Sequence, residues 1–108
     1  MRFEFAIHLP KVEELCRRFG VLHLDAFGSS VEGRFDSEES DVDLYAVFSD
    51  TREPGYADRY LDFAESLEVV FRRKVDLLTP GAVRNPRFAE SIKKNSVTLY
   101  DAEDHQTA

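Results

Sequence analysis

Two aspartates one residue apart, Asp41 and Asp43, stand at the head of an apolar run, Val42 to Phe48. Residues i and i+2 of a strand point to the same face, so these carboxylates are expected to project side by side, with Val42 and Leu44 facing a core. Adjacent carboxylates raise one another's pKa unless a cation neutralises them. Mg²⁺ prefers oxygen ligands and binds through one or two carboxylates plus substrate phosphates. Phe27-Gly28-Ser29-Ser30 precedes the pair and offers a place for such phosphates. Gly28 lets backbone come close to a phosphate. Ser29 and Ser30 add hydroxyl donors, and a helix starting there would supply free amides with a favourable dipole. Asp76 is a third carboxylate, set inside the apolar run Val75-Asp76-Leu77-Leu78, where a charge is costly without a partner. If its strand lies beside that of Asp41 and Asp43, three carboxylates converge. Two metal ions roughly 3.5–4 Å apart could then hold a triphosphate and activate an attacking hydroxyl. Taken singly, a D-x-D pair is more often a surface feature, and Asp76 reads equally well as an edge residue facing water. The order of all the pieces makes the signal specific.

The elements that must position these residues follow from periodicity. Residues 1–8 alternate as in a short strand. Pro10 suits a first helical turn. Val12, Leu15, Cys16 and Phe19 then recur on one helical face up to Gly20, predicting a helix over 10–19 with Cys16 in the core. Residues 21–27 read as a strand with Val21, His23 and Asp25 on one face and Leu22, Leu24 and Ala26 on the other. His23 has no metal-ligand spacing and reads as a structural or surface residue, as do His8 and His105. A short helix is expected over 29–34, closed by Gly33, then a loop over 35–40. The near-continuous apolar run 42–48 predicts a central strand covered on both faces. Tyr56, Tyr60, Phe63, Ala64, Leu67, Val70 and Phe71 keep the helical period, predicting a helix over 56–73 whose aromatics are core. A strand over 74–78, a helix from Asn85-Pro86 to Lys94 with Phe88, Ala89 and Ile92 inward, and a last strand over 97–100 complete the chain before a polar tail. This alternation predicts an α/β (α+β) fold, a small mixed sheet of about four strands covered by helices.

At 108 residues the chain is expected to be one domain with its core over about 10–100. Its apolar stretches are far shorter than the roughly 20 residues of a membrane span, and the start lacks the apolar run of a signal peptide. The single Cys16 can form no internal disulfide, which points to a reducing cytoplasm. The formal charge of −7 argues against a dedicated nucleic-acid binder. It suits a basic partner protein, though charge also serves solubility.

The runs F-G-S-S-V-E-G-R, S-D-V-D-L and V-D-L-L, with the closing I-K-K-N-S-V-T-L-Y, resemble the minimal nucleotidyltransferase (MNT) family of the DNA polymerase beta superfamily over nearly the whole chain. The resemblance implies the nucleotidyltransferase fold and transfer of a nucleoside monophosphate, usually AMP from ATP, to a hydroxyl. It implies that Gly28 and Ser29 hold triphosphate, that Asp41 and Asp43 bind two Mg²⁺ ions, and that Asp76 binds the catalytic metal and helps deprotonate the acceptor. Many stand-alone members are antitoxins paired with HEPN-domain ribonuclease toxins, and can add AMP to a toxin tyrosine. The chain departs from the family twice. Eleven residues separate Ser29 from Asp41, where ten is commonest, and Ser30 stands where relatives often carry Arg. Arg34 is the nearby basic residue that could replace that charge, although on a short surface helix it otherwise reads as solvated.

Three functions are open at this stage. The first is a Mg²⁺-dependent nucleotidyltransferase acting on a partner protein, with acceptor recognition supplied by another chain or by self-association. The second is an antitoxin that neutralises its toxin by binding alone. The third is a nucleotide sensor. The three intact carboxylates favour the enzyme.

Overall fold

The computed structural model describes residues 5–28 and 41–103. Among these, four strands form one sheet: β1 (Val21–Phe27), β2 (Val42–Phe48), β3 (Val75–Leu78) and β4 (Val97–Asp101), in the order β3-β2-β1-β4. β1 is antiparallel to both β2 and β4, whereas β3 is parallel to β2. Three helices accompany them: α1 (Leu9–Phe19), α2 (Tyr56–Phe71) and α3 (Pro86–Lys94). This is the mixed, helix-covered sheet of an α+β fold. A parallel pair needs a crossover, and α2 is the crossover that brings β3 beside β2. The short helix and loop expected over 29–40 lie outside the described residues.

One face of the sheet carries the core. Val12, Leu15 and Cys16 of α1 and Phe63, Leu67 and Phe71 of α2 are buried against Leu24, Ala26, Leu44, Ala46 and Phe48. Burying each such Leu or Phe stabilises the fold by about 1.5–3 kcal/mol. Burial pushes the Cys16 thiol up to about 12, with Glu13 adding to the rise and Arg17 opposing it. Cys16 is therefore a protonated core residue, as its helical position predicts, and not a thiolate nucleophile.

The fold departs from the expected elements in several places, and Phe88 of α3, expected inward, is exposed. Residues 6–8 form a 3₁₀ turn leading into α1, where a strand was expected. Phe5 and His8, three residues apart, both pack edge-on against Phe71, a spacing that helical turns satisfy and strand alternation does not. In β1 the register shifts between Val21 and His23. This irregularity puts Val21 in the core with Leu24 and Ala26 and leaves Leu22 exposed. β2 alternates buried and half-buried residues, so α1 and α2 cover one face fully and the other stays partly open. α2 ends at Phe71, two residues early, because Arg72 adopts a left-handed conformation (φ 56°).

Arg59 of α2 ties the far end of the sheet to α1. Its guanidinium donates to the carbonyls of Phe19 (3.1 Å), Ser49 and Asp50 (3.2 Å) and lies over the rings of Phe48 and Tyr56. Charged hydrogen bonds are worth about 1.5–3 kcal/mol each, and the acceptors would be left poorly paired. Arg59→Ala is expected to lower unfolding free energy by about 2–3 kcal/mol in urea titrations. Arg59→Lys should recover less than half, since an ammonium cannot reach all three carbonyls while lying over two rings. A loss below about 0.5 kcal/mol would show the network to be dispensable.

Candidate active site

The strand directions bring three chain segments to one end of the sheet. Because β1 and β2 are antiparallel, the end of β1 meets the start of β2, and Phe27 is the register partner of Asp43. Because β3 is parallel to β2, Asp76 is also the register partner of Asp43. Cross-strand partners share a face. Ala26, Leu44 and Leu77 point into the core, so Phe27, Asp43 and Asp76 stand together on the opposite face. Asp43 is half-buried, and Asp76 is exposed on an edge strand. Asp41 immediately precedes β2 and is exposed.

Electrostatics register this convergence. The Asp43 carboxyl is held above the ordinary carboxylate range, first by burial, then by Asp76 and then by Asp41. Gly28 closes the site from the β1 side. It adopts φ 76°, and a Cβ built there would collide with Oδ2 of Asp43. Only a residue without a side chain leaves that carboxylate in place, which is a more specific role than the close phosphate approach expected of it.

β3 is held from outside by α2. Val42 N–H donates to the Lys74 carbonyl (2.9 Å), so the even-numbered residues of β3 pair with β2 and the odd-numbered ones face outward. Two of the outward groups on either side of Asp76 are met by α2. The Val75 N–H donates to Glu68 Oε2 (3.0 Å), and the Tyr60 hydroxyl donates to the Leu77 carbonyl. Burial first, then Asp76 and Tyr56, push the Tyr60 phenol up, which keeps it a donor. These two contacts blunt an open edge and fix the strand that carries Asp76. Sequence periodicity marked Tyr60 only as a core aromatic.

A second polar group on the same face was not foreseen. His23 Nε2 lies 2.8 Å from Oδ1 of the buried Asp25, and Nδ1 lies 3.6 Å from Oδ2 of Asp101. His23 thus joins β1 to β4, a structural role in keeping with its lack of metal spacing. The signal available was the i, i+2 placement of two polar residues in an apolar strand. Tyr45, the register partner of Asp25, has its phenol pushed up by burial and then by Asp25.

Among the described residues no group of three or more His, Cys, Asp or Glu side chains is placed to hold a metal ion by itself. The Asp43–Asp76 pair still fits Mg²⁺, which completes its octahedron with water and substrate phosphates. The donors are hard oxygens, and their mutual repulsion is what a cation would relieve. Ser29, Ser30 and Arg34, expected to face the triphosphate, lie outside the described residues. A cavity of about 460 Å³ lined by Val47, Phe48, Thr51, Tyr56, Thr79, Pro80 and Gly81 lies at the other end of β2 and β3. It holds no carboxylate or imidazole and does not compete as a reaction centre. No helix among the described residues is long and apolar enough to cross a membrane.

Comparison with known proteins places this arrangement. The chain is 30% identical over 97 residues to a protein adenylyltransferase candidate of Methanocaldococcus jannaschii, covering 82% of this chain and 95% of that protein. It superposes on a solved minimal nucleotidyltransferase structure with a TM-score of 0.73 and 26% identity, over 90% of this chain and 95% of the other. It also shares its fold with a solved complex of a tri-AMPylated HEPN toxin and an MNT antitoxin from Shewanella oneidensis. There the TM-score is 0.62 at 16% identity, over 92% of this chain and 74% of the other. The model of the Nucleotidyltransferase domain family matches residues 11–99, from within α1 to within β4 and including all three aspartates, and the chain belongs to that family.

Proposed function

We propose that this protein transfers AMP from ATP to a hydroxyl of a partner protein in a Mg²⁺-dependent reaction, as the antitoxin of a HEPN/MNT pair. The observation that carries the reading is the register match of Asp43 with Asp76, which sets two carboxylates side by side on an open sheet face. The Methanocaldococcus jannaschii relative supports a protein acceptor, and the Shewanella oneidensis complex supports a HEPN partner. The acidic charge of −7 suits a basic toxin.

In this reading Asp41, Asp43 and Asp76 would hold the two metal ions. Bound Mg²⁺ would neutralise phosphate charge and favour the ionised acceptor. Gly28, Ser29, Ser30 and Arg34 hold the triphosphate. The acceptor oxygen attacks the α-phosphorus, the bond to the β-bridging oxygen breaks, and pyrophosphate leaves. Asp76, exposed and reachable by an incoming chain, takes the hydroxyl proton. Tyr60 and Glu68 keep its strand in place.

The test is incubation of the protein with α-labelled ATP, Mg²⁺ and the product of its neighbouring gene. Label is expected on the partner and absent when Asp76→Asn replaces the parent. Inhibition of the partner without label would establish neutralisation by binding alone. Nucleotide binding with neither effect would leave a sensor.

A further inference from the structure

The proposed site accounts for phosphates and metal but not for the base of the nucleotide. One aromatic ring beside the carboxylates has no evident structural need for its exposure. Phe88, on the first turn of α3, was expected to point inward with Ile92. Ile92 is buried at 3% exposure, but Phe88 remains 44% exposed. Its ring meets Phe27 edge-on, with centroids 6.2 Å apart. Phe27 is the register partner of Asp43, so Phe88 sits over the same face as the carboxylates, one strand away from them. Phe27 and Ile92 also stand outside the main core cluster, so this contact is a separate apolar patch on the site side of the sheet.

The surroundings of the ring favour a nucleotide over an apolar partner. Arg84 and Arg87, at the turn that opens α3, are both exposed. Neither arginine joins an ion pair with another described residue. An exposed ring and two exposed arginines at the opening of one helix match a ligand that is aromatic at one end and polyanionic at the other. Every nucleobase has a π face, so stacking secures the base without hydrogen-bond readout.

We infer that Phe88 is the stacking platform for the base of the nucleoside triphosphate, with Phe27 holding the ring at the correct height beside Asp43. The inference rests on the nucleotidyltransferase reading above, and the experiment separates the two. Calorimetry compares MgATP with magnesium tripolyphosphate, which has the phosphates and no base. Phe88→Ala is expected to weaken MgATP binding by about 5- to 150-fold, the usual range for one base–aromatic stack, while leaving tripolyphosphate affinity unchanged. Phe88→Leu keeps the apolar contact with Phe27 but lacks the π face, and should lose most of the same affinity at unchanged thermal stability. Phe88→Trp places a single tryptophan in a chain that has none. Its fluorescence should be quenched by MgATP and not by tripolyphosphate.

Equal weakening of both ligands in Phe88→Ala would overturn the inference and make the residue a support of the phosphate site. Unchanged MgATP affinity would overturn it while leaving the enzyme reading intact. If the parent protein binds tripolyphosphate as well as it binds MgATP, the base is unread and the inference falls alone. If the parent binds neither ligand, the nucleotide site falls and the inference with it.

Discussion

Asp43→Asn should lower AMP transfer by about 100- to 1,000-fold and yet melt at a higher temperature than the parent in metal-free buffer at pH 7. The loss follows from replacing an anionic oxygen, placed where charge must be balanced in the reaction, by a neutral amide. The gain follows from the raised pKa of Asp43, caused by burial, Asp76 and Asp41 in that order. A carboxyl whose folded-state pKa lies above its unfolded value binds its proton more tightly when folded. It favours the fold below the unfolded pKa, and that contribution disappears as pH rises through the folded value. Above the unfolded pKa the metal-free parent therefore loses that contribution as its carboxyl ionises against its neighbours, and the amide, which has no proton to lose, does not. The melting temperature of the parent should fall across the window from the ordinary Asp value up to the raised one, and that part of the slope should vanish in Asp43→Asn. Mg²⁺ should restore the parent selectively, since ligand that binds only the folded state raises its stability. Thermal melts across pH with and without Mg²⁺, together with transfer rates, check both halves. Lower metal-free stability in Asp43→Asn would mean that the residue is structural.

Gly28→Ala should cost activity by about 100-fold through the position of Asp43 and not through the phosphates alone. The added Cβ would collide with Oδ2 of Asp43, with Cγ at 3.3 Å and Cβ at 3.4 Å behind it, so the carboxylate must swing aside. Displacing a reacting group by about 1 Å costs about that factor. The left-handed backbone at φ 76° adds roughly 1–2 kcal/mol of instability for any residue with a Cβ. The two contributions separate in a double-mutant cycle. In an Asp43→Ala background the collision is gone, so only the backbone penalty should remain. A penalty identical in both backgrounds would show that Asp43 does not lie against Gly28. Urea titrations measure the stability terms, and initial rates in the Asp43 background measure the activity.

The helices were legible because their signal is local. Val12, Leu15 and Cys16 in α1, and Phe63, Leu67 and Phe71 in α2, repeat at the helical period, and these are the residues found buried. The strands were legible as runs, but their partners were not. That Asp76 stands opposite Asp43 depends on which edge of β2 the crossover helix delivers β3 to, a fact that no stretch of sequence near either aspartate contains. The two-sided burial expected of β2 failed for a related reason. Its half-buried positions Asp43, Tyr45 and Val47 face a side that α1 and α2 do not cover. The register shift at Val21 had no glycine or proline to announce it. Phe88 was misjudged because its helical spacing from Ile92 matches a core face, whereas the short α3 buries the last turn of that face and leaves the first in the open.

The antiparallel β1–β2 pairing has a further consequence for how the family's sequences can vary. Gly28 and Asp41 are the two ends of the interval 29–40, and both are anchored by the ladder that joins Phe27 to Asp43. The distance the interval must span is thus set by the sheet and not by its own length. Loop closure entropy grows only as the logarithm of length, so twelve residues in place of eleven cost under about 0.1 kcal/mol. The register that pairs Phe27 with Asp43 is thus independent of the one extra residue between Ser29 and Asp41, whereas a one-residue slip inside β2 would turn Asp43 to the core.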